Sequence, residues 1–435
     1  MVGRSVIAFF VAAFLANAAN AVIEITVTRS TEAKQPIAIV PFGWQHGGEP
    51  LSVDIADIVR DDLARTGLFE PVPFDSLPGR PHRHDQINFK DWRLLGPGNL
   101  VIGNVTPSPT VDGGFVVEFE LYDVLRQRRV VGYQLTANEK AMRRVAHQIS
   151  DQIYEKLTGN PGAFDTRVAY VTEQRDADGE ARYALNIADI DGHNEQVILD
   201  SSRPIMSPSW SPDGTKIAYV SFESDRPHVF IQVVATGDRE RVAEFPGING
   251  APAFSPDGNR LAMTLSKDGN PEIYVIDLRN RRLRRVTSNP AIDTEPAWSP
   301  DGRSLAFTSD RGGKPQIYRV AIEGGRRPER VTFEGGYNVR PVFSPDGKKL
   351  ALIHGSGGRY RIGLLDLENG ALQVLTDSSL DESPSFAPNG SMILYATTDG
   401  ASSVLSAVSP DGRMHQRLAV QTGGVREPAW SPFRN

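Results

Sequence analysis

The sequence predicts a mainly β protein, with a six-bladed β-propeller in its C-terminal part and a smaller α/β domain in front of it. Two observations predict the propeller: a short motif recurs at a nearly constant interval, and each copy lies beside short segments of alternating polarity. The motif P-x-[W/F]-[S/A]-P occurs six times, and its second prolines are 44, 44, 45, 43 and 44 residues apart: Pro212, Pro256, Pro300, Pro345, Pro388 and Pro432. A period of about 40–45 residues that contains several short strands is typical of propeller blades.

Turn residues follow the motif. Asp-Gly or Asn-Gly comes directly after each of the first five copies, and an alternating segment such as Lys216–Ser221 comes next. Proline fixes φ and glycine accepts positive φ, so the combination favours a tight turn between two strands. The aspartates that recur before glycine could also suggest calcium loops, but equivalent positions around a ring lie too far apart to share an ion. We therefore assign these aspartates to turns: Asp213, Asp257, Asp301, Asp346 and Asp411.

The alternating segments define six blades that close into a ring. They start near residues 167, 215, 259, 303, 348 and 391. The first segment has no motif before it, and the last motif, 428–432, has no strands after it. Segment 428–432 is therefore predicted to complete the first blade and to close a propeller over residues 165–435, which leaves no open sheet edge. The motif aromatics are predicted to pack between neighbouring blades: Trp210, Phe254, Trp298, Phe343, Phe386 and Trp430.

Residues 36–160 lack the repeat and predict the α/β domain. A strand-like segment at 37–41 precedes a helix-period segment at 53–68. A cluster of glycine and proline at 159–162 marks the link to the propeller. The other predicted elements are strands at 100–105, 115–121 and 130–135 and a helix at 138–157.

The first 21 residues have the order of a secretory signal peptide. One charged residue, Arg4, precedes an apolar run at 6–16 and the small residues Ala19 and Ala21. This order predicts export and cleavage after Ala21. The apolar run is too short for a permanent membrane anchor.

Residues 22–35 form an arm in front of the α/β domain. Positions 22–28 alternate apolar and polar residues, which predicts a strand. That strand could dock at an edge of the domain's own sheet, or it could remain a free arm that adds itself to the sheet of a partner. The residues alone favour the docked form.

Composition limits the chemistry of the chain. Cysteine is absent, which excludes disulfides, thiolate metal sites and thiol nucleophiles. Without Arg4 the chain has 46 basic and 53 acidic residues, and this net charge of 46 − 53 = −7 argues against a nucleic-acid partner. The basic run at 279–285 could attract phosphates, but a solvated edge that discourages strand pairing is the favoured interpretation.

No catalytic residue, metal site or cofactor is predicted. The G-x-S-x-G, Walker and H-E-x-x-H motifs do not occur. His82 and His84 form the one histidine cluster, in a loop without an acidic residue placed to complete a zinc site. Acidic residues also stand just before the motif prolines, where they either make one mouth of the propeller acidic or simply solvate its loops: Asp293, Glu295, Asp381, Glu382 and Glu427.

The combination of these segments resembles one known family. The signal peptide, the segments IAIVPF at 37–42 and EKLTG at 155–159, and the six-fold array are together similar to the TolB family of the Tol-Pal system, over the whole chain. The resemblance implies a monomeric, non-enzymatic periplasmic adaptor that links the inner-membrane protein TolA to the peptidoglycan-associated lipoprotein Pal. It further implies peripheral association with the outer membrane through Pal, and roles in outer-membrane integrity and in its invagination during cell division.

The same resemblance implies two binding sites. TolA is expected to bind the arm, which favours its free form, through Val22, Ile23, Glu24, Ile25, Thr26, Val27 and Thr28. Pal is expected to bind the propeller mouth through Met206, Ser207, Asn249, Gly250, Ala251, Thr294, Glu295, Arg340, Asp381 and Glu382. The chain departs from the family pattern at Ile248, where some relatives carry histidine, and at Glu24, near which a basic residue can occur.

Two other functions compete with the adaptor. Propeller lyases and peptidases need a histidine cluster at the mouth or an appended hydrolase domain, and the sequence has neither. A glycan-binding propeller would expose aromatic residues in its mouth loops, where Tyr337 is the obvious candidate.

Overall fold

The computed structural model describes residues 34–44, 51–175, 178–323, 327–400, 402–418 and 424–434. The predicted signal peptide and residues 22–33 of the arm lie outside these ranges. The described chain forms an N-terminal α/β domain followed by six four-stranded sheets. The predicted fold class, a six-bladed propeller behind an α/β domain, is therefore confirmed. In the ranges above, no helix is both long and apolar enough to cross a membrane.

The α/β domain is a mixed sheet with two helices packed on one face. The strands follow the order β3-β1-β4-β5-β6, and β2 pairs with β4; β1 runs parallel to β3 and β4, whereas β4, β5 and β6 are antiparallel. The elements are β1 (Gln35–Ile39), β2 (Gly43–Trp44), α1 (Ile55–Arg65), β3 (Phe69–Pro71), α2 (Phe89–Leu95), β4 (Asn99–Pro107), β5 (Gly114–Asp123), β6 (Arg128–Asn138) and α3 (Met142–Thr158), with 3-10 turns at Phe74–Ser76, His84–Gln86 and Glu139–Ala141.

Local residues set the ends of α1 and α3, the two helices that pack together. At the start of α1 the carboxylate of Asp54 accepts a hydrogen bond from the N–H of Asp57 at 3.2 Å, which satisfies one of the free donors of the first turn. Gly159 ends α3 with a φ of 79°, a left-handed conformation that glycine adopts without strain. Apolar residues such as Leu63 and Ile149 then bury one face of each helix in the core above the sheet.

Each blade of the propeller is a four-stranded antiparallel sheet. Blade 1 contains β7 (Arg167–Arg175), β8 (Ala181–Asp189) and β9 (Gln196–Ser201) and is completed from the C-terminus. Blades 2 and 3 contain β10 (Ile205–Trp210), β11 (Lys216–Ser221), β12 (His228–Val233), β13 (Arg239–Ala243), β14 (Asn249–Phe254), β15 (Arg260–Leu265), β16 (Glu272–Asp277) and β17 (Leu283–Arg285). Blades 4 and 5 contain β18 (Asp293–Trp298), β19 (Ser304–Ser309), β20 (Gln316–Ala321), β21 (Glu329–Arg330), β22 (Tyr337–Phe343), β23 (Lys349–Ser356), β24 (Arg359–Asp366) and β25 (Leu372–Val374). Blade 6 contains β26 (Asp381–Phe386), β27 (Ile393–Asp399), β28 (Ser402–Val408) and β29 (His415–Leu418).

The last strand of the chain completes blade 1. Strand β30 (Gly424–Trp430) pairs antiparallel with β7, so the sheet reads β30-β7-β8-β9. The pairing begins at Gly424, four residues before the segment 428–432 expected from the motif. The first strand of each blade contacts the first strand of the next. Strands β10, β14, β18, β22, β26 and β30 therefore line the axis of the ring.

The motif aromatics join neighbouring blades. The indole N–H of Trp210 in blade 2 donates to the carbonyl of Ala429 in blade 1 at 3.0 Å. Trp298 in blade 4 makes the same 3.0 Å contact with Ala253 in blade 3. Each indole thus packs apolar surface between two sheets and also satisfies a backbone acceptor in the sheet beside it.

The motif serine and the following aspartate build the turn. The hydroxyl of Ser299 donates to Asp301 at 2.5 Å, and the N–H of Arg303 donates to the same carboxylate oxygen at 3.0 Å. These hydrogen bonds lower the pKa of Asp301 because they stabilise its charged form. The arrangement explains the recurring aspartates as turn residues.

Ring closure predicts how truncation acts. Ending the chain after Glu427 removes three of the seven residues of β30. We expect the propeller to lose its single cooperative transition, or to lose about 4 kcal/mol and unfold about 10 °C lower, because roughly 1 kcal/mol corresponds to about 2–4 °C in domains of 150–250 residues. Differential scanning calorimetry measures this. Phe433→Ser, just beyond the strand, is the control. Equal unfolding midpoints for the truncated and full-length chains would show that closure does not hold the ring.

Candidate protein-binding site at the propeller mouth

A β-bulge interrupts the first strand of every blade at the same position. The pairing register shifts there in all six first strands. The residue at the bulge has a φ between 46° and 58°, which is uncommon for a residue with a side chain, and it stands directly before the first proline of the motif. The six residues are Ser207, Ala251, Glu295, Arg340, Ser383 and Glu427. Strained backbone that recurs around one ring marks this region as a candidate functional site.

Charged residues occupy the centre of the mouth. The guanidinium of Arg340 in blade 5 forms an ion pair with Glu427 in blade 1. Burial alone would lower the pKa of Arg340, but the carboxylates of Glu427, Glu295 and Glu382 together raise it. These four residues come from blades 4, 5, 6 and 1. With three carboxylates and one guanidinium, the centre carries a net charge of 1 − 3 = −2 when all four are ionised.

The three glutamates do not have equal freedom. Glu295 accepts hydrogen bonds from the hydroxyl of Thr308 at 2.8 Å and from the N–H of Arg340 at 3.0 Å, so it ties blade 4 to blade 5. Burial, followed by the charge of Glu427, raises the pKa of Glu382. Glu382 is the carboxylate of the centre that is most available to a partner, because no hydrogen bond to it is found among the described residues.

Large apolar side chains surround this centre on four blades. The residue directly before Asn249 in blade 3, and its equivalents in blades 4 and 6, are exposed by 47%, 50% and 43%: Ile248, Ile292 and Leu380. In blade 5 the equivalent residue is Tyr337, whose ring lies 5.2 Å from that of Tyr360. We call Ile248, Ile292, Tyr337 and Leu380 the apolar rim. Blades 1 and 2 have Gly424 and Pro204 at this position, so the rim covers four of six sectors.

Most of the predicted Pal-binding residues lie at this mouth with at least part of their surface exposed: Met206, Ser207, Gly250, Ala251, Thr294, Glu295, Arg340 and Glu382. Asn249 and Asp381 differ from these eight residues, because both side chains are buried. Asn249 accepts from the N–H of Phe245 at 2.9 Å and donates to its carbonyl at 2.7 Å, and Asp381 accepts from the hydroxyl of Thr376. These two residues hold the mouth loops from inside.

The acidic residue of blade 4 at the same buried position is also internal. Asp293 is fully buried, and both of its carboxylate oxygens bind the guanidinium of Arg311, at 2.6 and 2.9 Å. Burial raises the pKa of Asp293 despite this partner. Of the five acids expected at the mouth, Glu295, Glu382 and Glu427 therefore form its charge, while Asp293 and Asp381 do not reach its surface.

Two of the four residues of the apolar rim were not identified from the sequence. Ile292 and Leu380 lie outside the repeated motif, and their residue types differ from blade to blade. Their spacing, however, follows the motif: residues 248, 292, 337 and 380 are separated by 44, 45 and 43 positions. An alignment of the repeats at this position would therefore have identified Ile292 and Leu380.

A second concave surface lies between the two domains. This cleft has a volume of about 600 Å³ and is lined by residues of α1, the loop after it, α3 and blade 6, including Leu68, Tyr154 and Met414. Lys34 and Gln35, at the end of the arm, also line it. The N–H of Gln35 donates to the carbonyl of Leu68 at 2.8 Å. The arm therefore joins the folded chain at the wall of the cleft.

Comparisons with known proteins agree with this architecture. Residues 154–434 match the model of the TolB β-propeller domain, and residues 23–130 match that of the TolB amino-terminal domain. The Tol-Pal system protein TolB of Nitrosococcus oceani is 58% identical over 412 residues, which cover 95% of this chain and 94% of that protein. This chain belongs to the TolB family.

Other members of the TolB family support the same assignment over the full fold. TolB of Thioalkalivibrio sulfidiphilus is 56% identical over 416 residues, which cover 95% of each chain. The crystal structure of TolB from Acinetobacter baumannii superposes with a TM-score of 0.85 at 43% identity and covers 95% of this chain and all of that one. Both domains are therefore arranged as in a solved TolB structure.

The charged centre predicts a pH-dependent stability effect. Arg340→Met leaves Glu295, Glu382 and Glu427 without their cation, and we expect a loss of about 1–3 kcal/mol in the free energy of unfolding at pH 8. The loss should shrink at pH 5, because Glu382, whose pKa burial raises, then binds a proton more readily and the repulsion at the centre falls. Urea unfolding at both pH values measures it, with the exposed Arg93→Met as the control. An equal loss at pH 8 and pH 5 would assign the effect to packing alone.

Proposed function

We propose that this chain is a non-enzymatic adaptor of the Tol-Pal system that works in the periplasm after cleavage behind Ala21. It acts as a monomer, binds Pal at the propeller mouth and TolA through the arm, and is held at the outer membrane peripherally through Pal. In this role it contributes to outer-membrane integrity and to invagination of that membrane during cell division. Membership of the TolB family supports the proposal, because its relatives are Tol-Pal system proteins.

The apolar rim is the observation that carries the Pal-binding part of the proposal. Monomeric proteins rarely cluster large exposed apolar side chains without a partner for them. Protein interfaces typically combine such anchors with a few charged or polar groups that fix orientation. The mouth offers both, since Ile248, Ile292 and Leu380 are exposed three positions before the bulges, and Glu382 and Glu427 stand beside or at the bulges of blades 6 and 1.

Small residues extend the surface on the remaining side of the mouth. Ser207 in blade 2 and Gly250 and Ala251 in blade 3 lie at or beside the bulges and are partly exposed. Short side chains leave the backbone open to close approach by a partner. A Pal domain centred on the channel would therefore contact anchors on blades 3 to 6 and backbone on blade 2.

The interdomain cleft supports a role for the arm. Because Lys34 and Gln35 line the cleft, the residues before them start from its wall. The same arm can then lie in the cleft or leave it to add a strand to a partner. TolA binding would use the free form.

Polar substitution of the rim tests the Pal site. Ile248→Ser, Ile292→Ser and Leu380→Ser combined should weaken binding of a soluble Pal domain by about 100-fold, since roughly 1 kcal/mol per anchor sums to about 3 kcal/mol and 1.4 kcal/mol is tenfold. Isothermal titration calorimetry measures the Kd. The matched control is Leu94→Ser, Leu125→Ser and Val197→Ser, three exposed apolar residues away from the mouth.

A charge variant tests the contribution of the charged centre to Pal binding separately from that of the apolar rim. Glu382→Lys is preferable to reversal at Glu295, because Glu295 holds the backbone of Arg340 and its loss would distort the bulge. Glu382→Lys should weaken Pal binding by about tenfold if the centre contributes one charge contact. Wild-type affinity in both the rim variant and Glu382→Lys would place Pal elsewhere.

Deletion of the arm should abolish TolA binding without affecting Pal binding. A mature chain that lacks residues 22–33 should fail to bind the C-terminal domain of TolA but keep its Kd for Pal, because every residue of the proposed Pal site belongs to the propeller. Surface plasmon resonance with each partner measures both. Ile23→Ser with Ile25→Ser, on one side of the predicted strand, is the point-variant equivalent. Retained TolA binding by the deletion variant would exclude the arm as the TolA site.

A further inference from the structure

A buried histidine joins the two domains. His147 lies in α3 and is exposed by only 1%. Its Nδ1 is 2.7 Å from the carboxylate of Asp62 in α1, and its Nε2 is 3.3 Å from the carboxylate of Asp191, which follows β8 in the propeller. One imidazole ring therefore lies between a carboxylate of its own domain and a carboxylate of the other. We call His147, Asp62 and Asp191 the joint between the domains.

Arginines complete the joint from both sides. Arg65 in α1 forms an ion pair with Asp62, and Arg143 in α3 forms one with Asp191. Each carboxylate thus contacts one edge of the His147 ring and one guanidinium. Other ionisable groups lie around these residues. Asp189 binds Arg434, His193 lies 3.4 Å from Asp191, and Asp165 binds Arg144. Asp61 in α1, whose pKa burial raises, and Asp151 in α3 are also close.

The ring is held as a cation. Burial alone would lower the pKa of His147, but Asp62 and Asp191 raise it to about 10. His147, Asp189 and Asp191 also bring ligand atoms within 4.8 Å of one another, the spacing of a metal site. Arg143 and Arg434 already bind these two carboxylates, so a divalent ion would have to lie against two guanidinium groups. A proton on His147 neutralises the same carboxylates with one positive charge, where a divalent ion would bring two.

The joint continues directly into the interdomain cleft. Asp62 and Arg65 stand in the last turn of α1, and the carbonyl of Arg65 accepts from the side-chain amide of Gln416 in blade 6 at 2.6 Å. Gly67 follows with a φ of 68°, and a Cβ there would lie 2.6 Å from Met414. The end of α1 therefore contacts both the joint and the cleft wall, so a shift of this helix changes both.

We infer that the buried imidazolium of His147 is a charge lock that fixes how the α/β domain docks on the propeller and thereby sets the width of the interdomain cleft. The contact with Asp62 holds α1 against the imidazole ring, and the contact with Asp191 holds blade 1 against it. The lock is independent of the partners named above; only its effect on release of the arm rests on the proposed function.

Spin labels can measure the docking directly. The chain has no cysteine, so Leu94→Cys and Val197→Cys place one label on each domain at exposed sites. Double electron–electron resonance then reports the distance between the domains. We expect one narrow distance distribution at pH 7.5 and a broader one when His147→Gln is added, because Asp62 and Asp191 lose their shared cation.

The pH dependence gives a second test that needs no variant at His147. Because the folded-state pKa is raised, the contribution of the charged ring is complete below the unfolded value of about 6.5 and is lost as the pH rises through about 10. Asp151, whose pKa burial raises to about 7, has already titrated at the lower end of a scan from pH 8 to 10.5. The distance distribution of the labelled chain with His147 should broaden as the pH rises over this scan. The distribution of the His147→Gln chain should not change.

A matched control and three outcomes decide the inference. His193→Gln removes the other imidazole beside Asp191, but His193 belongs to the same blade as Asp191 and should leave the distance distribution narrow. A narrow distribution in His147→Gln at pH 7.5, or a nitrogen-15 NMR spectrum of a neutral His147 ring at pH 7.5, would overturn the lock. Stabilisation of the wild-type chain by ZnCl₂ that His147→Gln abolishes would overturn it in favour of a metal site.

Discussion

The pairing of β30 with β7 is the contact on which the rest of the structure depends. A blade has two large faces and cannot bury either of them alone, so every blade relies on its neighbours. The ring supplies neighbours to all six sheets only when the C-terminal strand completes the first one. Trp210 reinforces this seam, because its indole donates to Ala429 of the closing strand. The mouth and the domain joint both take their geometry from the closed ring.

The mouth shows how a repeat can produce a surface that is not itself repeated. Each blade brings the same bulge to the axis, and the backbone there is nearly identical in all six. The side chains are free to differ because loop and bulge positions carry little of the packing. Arginine at position 340 and glutamate at 295 and 427 then make the centre charged, while the residues one step before the strands make the rim apolar on four sides. A rigid, symmetric scaffold thus presents an asymmetric pattern.

The fold was accessible from the sequence because its determinants are local and periodic. The motif spacing counted the blades, and the unmatched first segment and last motif indicated closure. Helix α2 (Phe89–Leu95) was not predicted, since seven residues carry too little periodicity. Burial of Asn249 and Asp381 was also hidden, because a polar residue at a strand start looks the same whether it faces solvent or holds a loop. The His147 joint could not be read at all: Asp62 is 85 positions away and lies on another helix, and Asp191 belongs to another domain.

The position of β30 in the sequence also determines when the ring can close during synthesis. The residues that complete blade 1 are synthesised long after their partner strand, because they lie more than 250 positions after it. No intermediate that lacks β30 can therefore form the native ring, and the ring stays open until β30 has been synthesised. A ring built in this way closes only after the strands of all six blades have been synthesised.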